Sequence, residues 1–351
     1  MKHFSLLSLT CILVSSVCAE TVFTIPQGYT RINIEAAESA SEPTLTAFSV
    51  TLLNSLSYSG AITVNSDFND PDDDTSTLNG VQSLTTTEDP SWSGDQWTVT
   101  PHLAYITDAN ESEEAFLITG NTASGDITLS APFDLLGDSD PSSATVVPRF
   151  PSSSTIKIRP ANTIGSIFSS VSSSFSSDDR VFVWTGQNWE SYQLNAFGNW
   201  VTASNLFGNE NDTVIFPDEG MFIFRAATTS IQLTLFGEVP SAPQISTITG
   251  SGLLSSRVPI GTTLESLGVN DENWTSDDRV FIWNQEDNQW DGFLVNGFGN
   301  WAPTSNPFGN SNALSIDSNA AIFINREVPL SGEVGLITAP LPYNLTETVA
   351  E

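Results

Sequence analysis

Asp178-Asp179-Arg180-Val181-Phe182-Val183-Trp184 reappears as Asp277-Asp278-Arg279-Val280-Phe281-Ile282-Trp283, 99 residues further along the chain. Downstream, Phe197-Gly198-Asn199-Trp200 returns as Phe298-Gly299-Asn300-Trp301, and Phe207-Gly208-Asn209 as Phe308-Gly309-Asn310. Met221-Phe222-Ile223 with Arg225 returns as Ile322-Phe323-Ile324 with Arg326. The offset becomes 101 after the first turn, where the second copy carries two more residues between Gln285 and Gln289. Such a period is domain-sized, well above the roughly 20–50 residues of solenoid repeats. What returns is aromatic, apolar and turn-forming, and no set of catalytic residue types returns with it. Architecture is therefore more legible here than activity.

Short apolar runs rich in Val, Ile, Phe and Thr are bounded by Gly, Asn, Asp, Ser and Pro, the pattern of strands and turns. Val181–Trp184 is apolar on both faces and reads as a central strand. Thr185–Asn188 reads as a hairpin turn. Thr213–Phe216 and Met221–Arg225 read as a second hairpin around Pro217–Gly220. Helical spacing is not sustained beyond two turns, with brief helix expected near Leu45–Leu53, Thr163–Ser170 and Thr263–Leu267. The fold class is all-β: an N-terminal β domain followed by two homologous small β-barrel or sandwich-like repeats. The expected division is a signal peptide at 1–19, the N-terminal β domain at 20–159, repeats at 160–240 and 257–340 joined by a linker at 241–256, and a loose tail at 341–351. N-terminal strands are expected at Tyr29–Ile34, Thr46–Leu53, Gly60–Val64, Gln96–Thr100, Ala104–Thr107, Ala115–Thr119, Ile127–Leu129 and Ser154–Ile158. Asn65–Asp89 reads as a long acidic surface loop.

Lys2, the apolar stretch Phe4–Val14 and the small residues Val17-Cys18-Ala19 have the order of a cleaved export signal. The protein is expected to be exported, to the periplasm, the cell surface or the medium, and no later stretch is long and apolar enough for a membrane-spanning helix. Both cysteines, Cys11 and Cys18, fall in the signal, so the mature fold has no disulfide and no thiolate metal site. Forty-one Asp and Glu against ten Lys and Arg give a formal charge of −31, which repels nucleic acid and anionic lipid.

Candidate sites are few. Asp67, Asn69, Asp70, Asp72 and Asp74 form an acidic run that reads either as a solvated loop or as a nonstandard calcium loop. EF-hand spacing fails there, because Thr75 and Val81 stand where Gly and Glu are required. Asp179 with Arg180, and Asp278 with Arg279, read as structural: the Asp caps the turn entering a strand and the Arg pairs with a carboxylate. Trp184, Trp200, Trp283 and Trp301 are read as structural indoles of the repeat. Trp189 with Tyr192, and Trp290 with Phe293, lie among polar neighbours and are the candidate glycan-binding aromatics, since flat ring faces stack on sugars. No Gly-x-Ser-x-Gly elbow, phosphate loop or dinucleotide fingerprint occurs. Beyond the signal, His102 is the one histidine and Lys157 the one lysine.

Several motifs recur in a familiar order. Pro26-Gln27-Gly28-Tyr29 opens the chain after the signal, and Tyr105-Ile106-Thr107 leads through an acidic turn to Phe116-Leu117-Ile118-Thr119. Ile158-Arg159-Pro160 precedes Thr163-Ile164-Gly165-Ser166-Ile167-Phe168, and the Arg180–Trp184 strand precedes Glu219–Arg225. In this order the chain resembles a family of exported, β-rich proteins from Verrucomicrobia and their relatives, although a single repeat unit is expected there. That family carries no established activity, so the resemblance implies no catalytic residue. The expected function is that of a non-enzymatic extracellular or cell-surface structural or binding protein with no cofactor unless calcium. The alternative is a carbohydrate-active protein, either a lectin-like binder of cell-surface polysaccharide or a carboxylate glycoside hydrolase.

Overall fold

The computed structural model describes residues 26–39, 41–64, 81–88, 90–108, 110–130, 150, 154–185, 188–248, 251–269, 274–285, 287–326 and 335–343. The proposed signal and the acidic run at Asp67–Asp74 lie outside these residues. The chain is nearly all β. It opens with β1 (Gln27–Ile34) and β2 (Thr44–Ser49) and continues through β3 (Tyr58–Val64), β4 (Val81–Thr86), β5 (His102–Thr107), β6 (Glu113–Asn121), β7 (Asp126–Ser130) and β8 (Thr155–Pro160). Next come β9 (Asn162–Thr163), the short helix α1 (Ile164–Phe168), β10 (Arg180–Trp184), β11 (Trp189–Leu194), β12 (Trp200–Thr202), β13 (Val214–Ile215), β14 (Gly220–Arg225) and β15 (Ile231–Glu238). The C-terminal part holds β16 (Gln244–Ile248), β17 (Gly252–Ser255), β18 (Thr262–Thr263), β19 (Arg279–Asn284), β20 (Gln289–Val295), β21 (Trp301–Pro303), β22 (Ser315–Ile316), β23 (Ala321–Asn325) and β24 (Gly335–Ala339).

Strands β3–β8 close a six-stranded barrel in the order β6-β5-β8-β3-β4-β7, with β7 pairing back onto β6. Alternation along each strand fills it. Ala104 and Ile106, Phe116 and Ile118, Ile127 and Leu129, and Ile156 and Ile158 are i, i+2 pairs pointing into one buried core. The register shift between Ile118 and Gly120 bends β6 so that it can pair with both β5 and β7. Gln96–Thr100, expected as a strand, forms turns instead. Trp97 packs edge-on against Trp92 (5.4 Å) and His102 (5.1 Å), and both indoles join the barrel core. Part of the expected acidic loop is strand: β4 lies between β3 and β7.

The barrel interrupts another body. β1 pairs with β15 and β2 with β14, so strands expected in the N-terminal domain belong with partners beyond residue 160. Around them a five-stranded sheet runs β12-β11-β10-β14-β2, and β10 is interior, as its two apolar faces predict. β13 pairs with β9 rather than forming a hairpin with β14. One face of this sheet packs on the β1–β15 ribbon and on α1, with Val181, Trp200, Ile223, Ile32, Leu233 and Phe168 in a shared core. The helix forms at the expected site because Thr163 and Ser166 make a reciprocal capping box.

The C-terminal sheet runs β17-β23-β19-β20-β21, and its pairings match those of the first sheet position for position. Val181 opposes Tyr192 as Val280 opposes Phe293; Phe182 opposes Phe222 as Phe281 opposes Phe323; Leu194 opposes Trp200 as Val295 opposes Trp301. β18 pairs with β22 as β9 pairs with β13. The expected linker at 241–256 holds two strands: β16 adds to the barrel sheet beside β6, and β17 edges the second sheet. β24 then returns to pair with β16.

Sheet meets sheet through aromatic rings. Trp184 of the first stacks edge-on against Phe323 of the second at 5.7 Å, and Trp283 of the second against Phe222 of the first at 5.4 Å. This reciprocity is that of a two-fold interface, in which one patch serves both sides. Phe222 also touches Trp189 (5.5 Å) and Trp290 (5.4 Å), placing it at the centre. Polar contacts fix the joint further: Ser49 N donates to Asn319 O (2.9 Å), Ser255 N to Asp218 O (2.8 Å) and Gln285 Nε2 to Leu45 O (2.7 Å). Gly220 is required here, since a Cβ would lie 2.8 Å from Ala321 Cβ and 3.1 Å from Leu254 O.

Candidate functional site: paired aromatic loops

Phe197, Phe207, Phe298 and Phe308 are 75–87% exposed, although large apolar side chains belong to the most buried residue types. They sit on two matched pairs of loops, and an asparagine ties each pair together. The Asn195 side-chain oxygen accepts from Phe197 N (2.9 Å) and Asn199 N (3.0 Å), while its Nδ2 donates to Leu206 O (3.2 Å) on the neighbouring loop. Asn296 repeats this: Oδ1 accepts from Phe298 N (3.0 Å) and Asn300 N (3.1 Å), and Nδ2 donates to Pro307 O and Gly309 O, both at 3.1 Å. Gly198 and Gly299 take φ of +81° and +77°, a conformation that glycine adopts without strain, and a Cβ there would meet nothing. Asn211 and Asn312 accept from Trp200 N (2.8 Å) and Trp301 N (2.7 Å), anchoring the second loop of each pair to a buried strand. The loops are thus internally hydrogen-bonded platforms that hold apolar tips in water.

Sequence reading pointed elsewhere. Trp189 is exposed and Trp290 partly so, but Trp290 lies in the aromatic joint and Trp189 packs on its Trp184 and Phe222 rings. Tyr192 and Phe293 are buried in the two sheet cores on the opposite face, because three positions along a strand reverse the side. No single platform can therefore combine Trp189 with Tyr192, or Trp290 with Phe293. Trp200 and Trp301 are core residues; Trp184 and Trp283 belong to the joint rather than to either core. Asp179 caps as expected, accepting from Ser176 N at 2.6 Å. Its ionic partner is Arg225, at 2.5 Å, and not the adjacent Arg180, whose side chain donates to Ser177 O and Asp179 O. In the second sheet Asp278 accepts from Thr275 N (2.8 Å) and lies 3.7 Å from Arg326, while Arg279 donates to Ser276 O and Asp278 O. The signal that marks the loops is a phenylalanine inside the turn motif Asn-x-Phe-Gly-Asn, which occurs at 195–199, 205–209, 296–300 and 306–310, where a polar residue is the norm.

Charged groups cluster where barrel and sheets meet. Asp218 and Arg257 line a cavity of about 10 Å³, at the threshold for one water and too small for an organic substrate, and Glu219 follows Asp218 in the chain. Burial, reinforced by the Asp218 charge, pushes Glu219 up to about 8, while Phe216 N donates to its carboxylate at 3.0 Å. Burial likewise raises Asp218 and lowers Arg257 to about 10. A carboxyl raised on folding stabilises the fold below its unfolded value and loses that contribution as pH rises through the folded one. Stability should therefore fall between about pH 4.5 and 8. Glu219→Gln should raise Tm by about 3 °C or more at about pH 9 and change it little at about pH 4. Thermal melts across pH check this, and parallel curves for the two proteins would contradict it.

His102 Nδ1 faces Thr100 O (2.7 Å) and Trp97 O (3.2 Å) and so carries its proton there, as a structural donor. Among the described residues no group of three or more His, Cys, Asp or Glu is arranged to hold a metal, and no helix is long and apolar enough to cross a membrane. No protein-family model, curated protein or solved structure matches the chain.

Proposed function

We propose that the protein is an exported, non-enzymatic binding scaffold acting at the cell surface or beyond it, and that the paired phenylalanine loops are its contact surface. One observation carries this reading: four phenylalanines stand exposed at equivalent places on two loop pairs that are braced by matched asparagines. Leaving such rings in water forgoes roughly 1.5–3 kcal/mol each relative to burial, a cost that a contact surface explains. The barrel and the aromatic joint supply a frame that fixes where the tips stand. Export rests on the apolar stretch Phe4–Val14 near the start of the chain, and calcium at Asp67–Asp74 is an optional stabiliser within this proposal. The lectin-like alternative is favoured by the amide-rich surroundings of the tips; no observation favours the hydrolase.

The test is adsorption to cell-envelope fragments of the source organism. Wild-type protein should adsorb, and a variant combining Phe197→Ser, Phe207→Ser, Phe298→Ser and Phe308→Ser should lose at least about tenfold in affinity with an unchanged Tm. Equal adsorption by the two proteins would overturn the assignment.

A further inference from the structure

We infer that the ligand of these loops is an uncharged polysaccharide, held at two places along one chain; the inference rests on the binding role proposed above. Residues 195–209 and their counterparts 296–310 contain no Asp, Glu, Lys or Arg, in a protein with 41 acidic residues; Glu210 and Asp212 follow the first loop pair where Ser311 and Ala313 follow the second. A polyanion would meet the −31 field with no cation on the loops to receive it. Beside Phe207 and Phe308 stand the exposed carboxamides of Asn209 and Asn310. Each spends its Oδ1 internally, accepting from Asn211 N (3.1 Å) or Asn312 N (2.9 Å), and its Nδ2 has no protein partner among the described residues. The acyl region of a bilayer, where apolar tips would insert, offers those amides no acceptor, whereas sugar hydroxyls beside a ring face replace the hydrogen bonds lost from water. Phenylalanine faces pack on the C–H face of a neutral pyranose without requiring charge. Two equivalent loop pairs on one frame match a ligand that repeats itself, and the second contact then forms at high effective concentration.

The experiment is native affinity electrophoresis of the full mature chain through gels containing soluble neutral glucans, galactomannan or xyloglucan, with a polyuronate gel and phosphatidylcholine vesicle flotation alongside. At least one neutral polysaccharide should retard the protein, with little change on adding salt. Phe207→Ser or Phe308→Ser alone should weaken retardation about tenfold or more through loss of the second contact, and the pair should abolish it. Retardation by none of the neutral polymers, preference for the polyuronate or the vesicles, or retardation untouched by the double substitution overturns the inference. If the four-serine variant loses envelope adsorption while no neutral polymer retards the wild type, the ligand class is wrong and the contact surface stands. If both proteins adsorb equally, both readings fall.

Discussion

Asp179→Ala is expected to lower stability by about 3–5 kcal/mol, the usual consequence of leaving one member of a buried ion pair behind. Asp179 and Arg225 are both essentially inaccessible to solvent. The carboxylate accepts from Arg225 Nη1 (2.5 Å), Ser176 N (2.6 Å), Ala226 N (2.8 Å) and Ala227 N (3.4 Å), so its loss orphans three backbone donors along with the cation. Arg225 would keep Ser174 O (3.0 Å) and Thr229 O (2.7 Å), which are neutral acceptors and do not balance a buried charge. Arg180→Ala is the control. That side chain reaches only backbone carbonyls at a partly exposed site, and its removal should cost less than about 1 kcal/mol. Denaturant titrations of both variants decide the matter: equal midpoints, or an Asp179→Ala midpoint close to wild type, would show that the pair does not lock the turn to the sheet.

Phe222→Ala should cost about 3–5 kcal/mol, as expected for emptying a buried aromatic site. The ring is 7% exposed and touches Trp189, Trp283 and Trp290, so no neighbour can fill the space without abandoning another contact. The loss falls at the joint between sheets. Each sheet retains its separate core on the other face, around Trp200 and around Trp301. The variant should therefore keep both folded sheets and lose their fixed relation. Phe323, which meets Trp184 and Trp290, occupies the equivalent place on the other side.

Local signals carried much of this architecture. Alternation of apolar residues located β5, β6, β7 and β8 within a few positions, and the two apolar faces of Val181–Trp184 marked an interior strand. Pairing partners were not legible. β2 and β14 meet across some 170 residues of chain, and nothing in Thr44–Ser49 records that its neighbour is Gly220–Arg225. The barrel's place inside the first sheet's chain path was hidden for the same reason. β13 was read as half of a hairpin because Pro217–Gly220 has turn chemistry, yet β9 takes its hydrogen bonds. For the candidate site, composition drew attention to indoles, whose apolar area is equally useful in a joint. Which face of a strand meets a second sheet depends on the whole fold. The loops were legible only in part: the Phe-Gly-Asn repetition was evident, and the bonds from Asn195 and Asn296 to the turn that follows each are local, but their reach through Nδ2 to the next loop joins residues that become neighbours only on folding.

The distance between the two loop pairs tests the whole account most directly. The chain lacks cysteine beyond residue 18, so spin labels at Ser204→Cys and Ser305→Cys, both exposed sites, report on the loops without further substitution. Pulsed dipolar spectroscopy on the protein from Glu20 onward should give one narrow distance distribution, and adding Phe222→Ala should broaden it. A broad distribution in the otherwise unaltered protein would mean that the sheets move independently, and that no frame holds the tips at a set spacing.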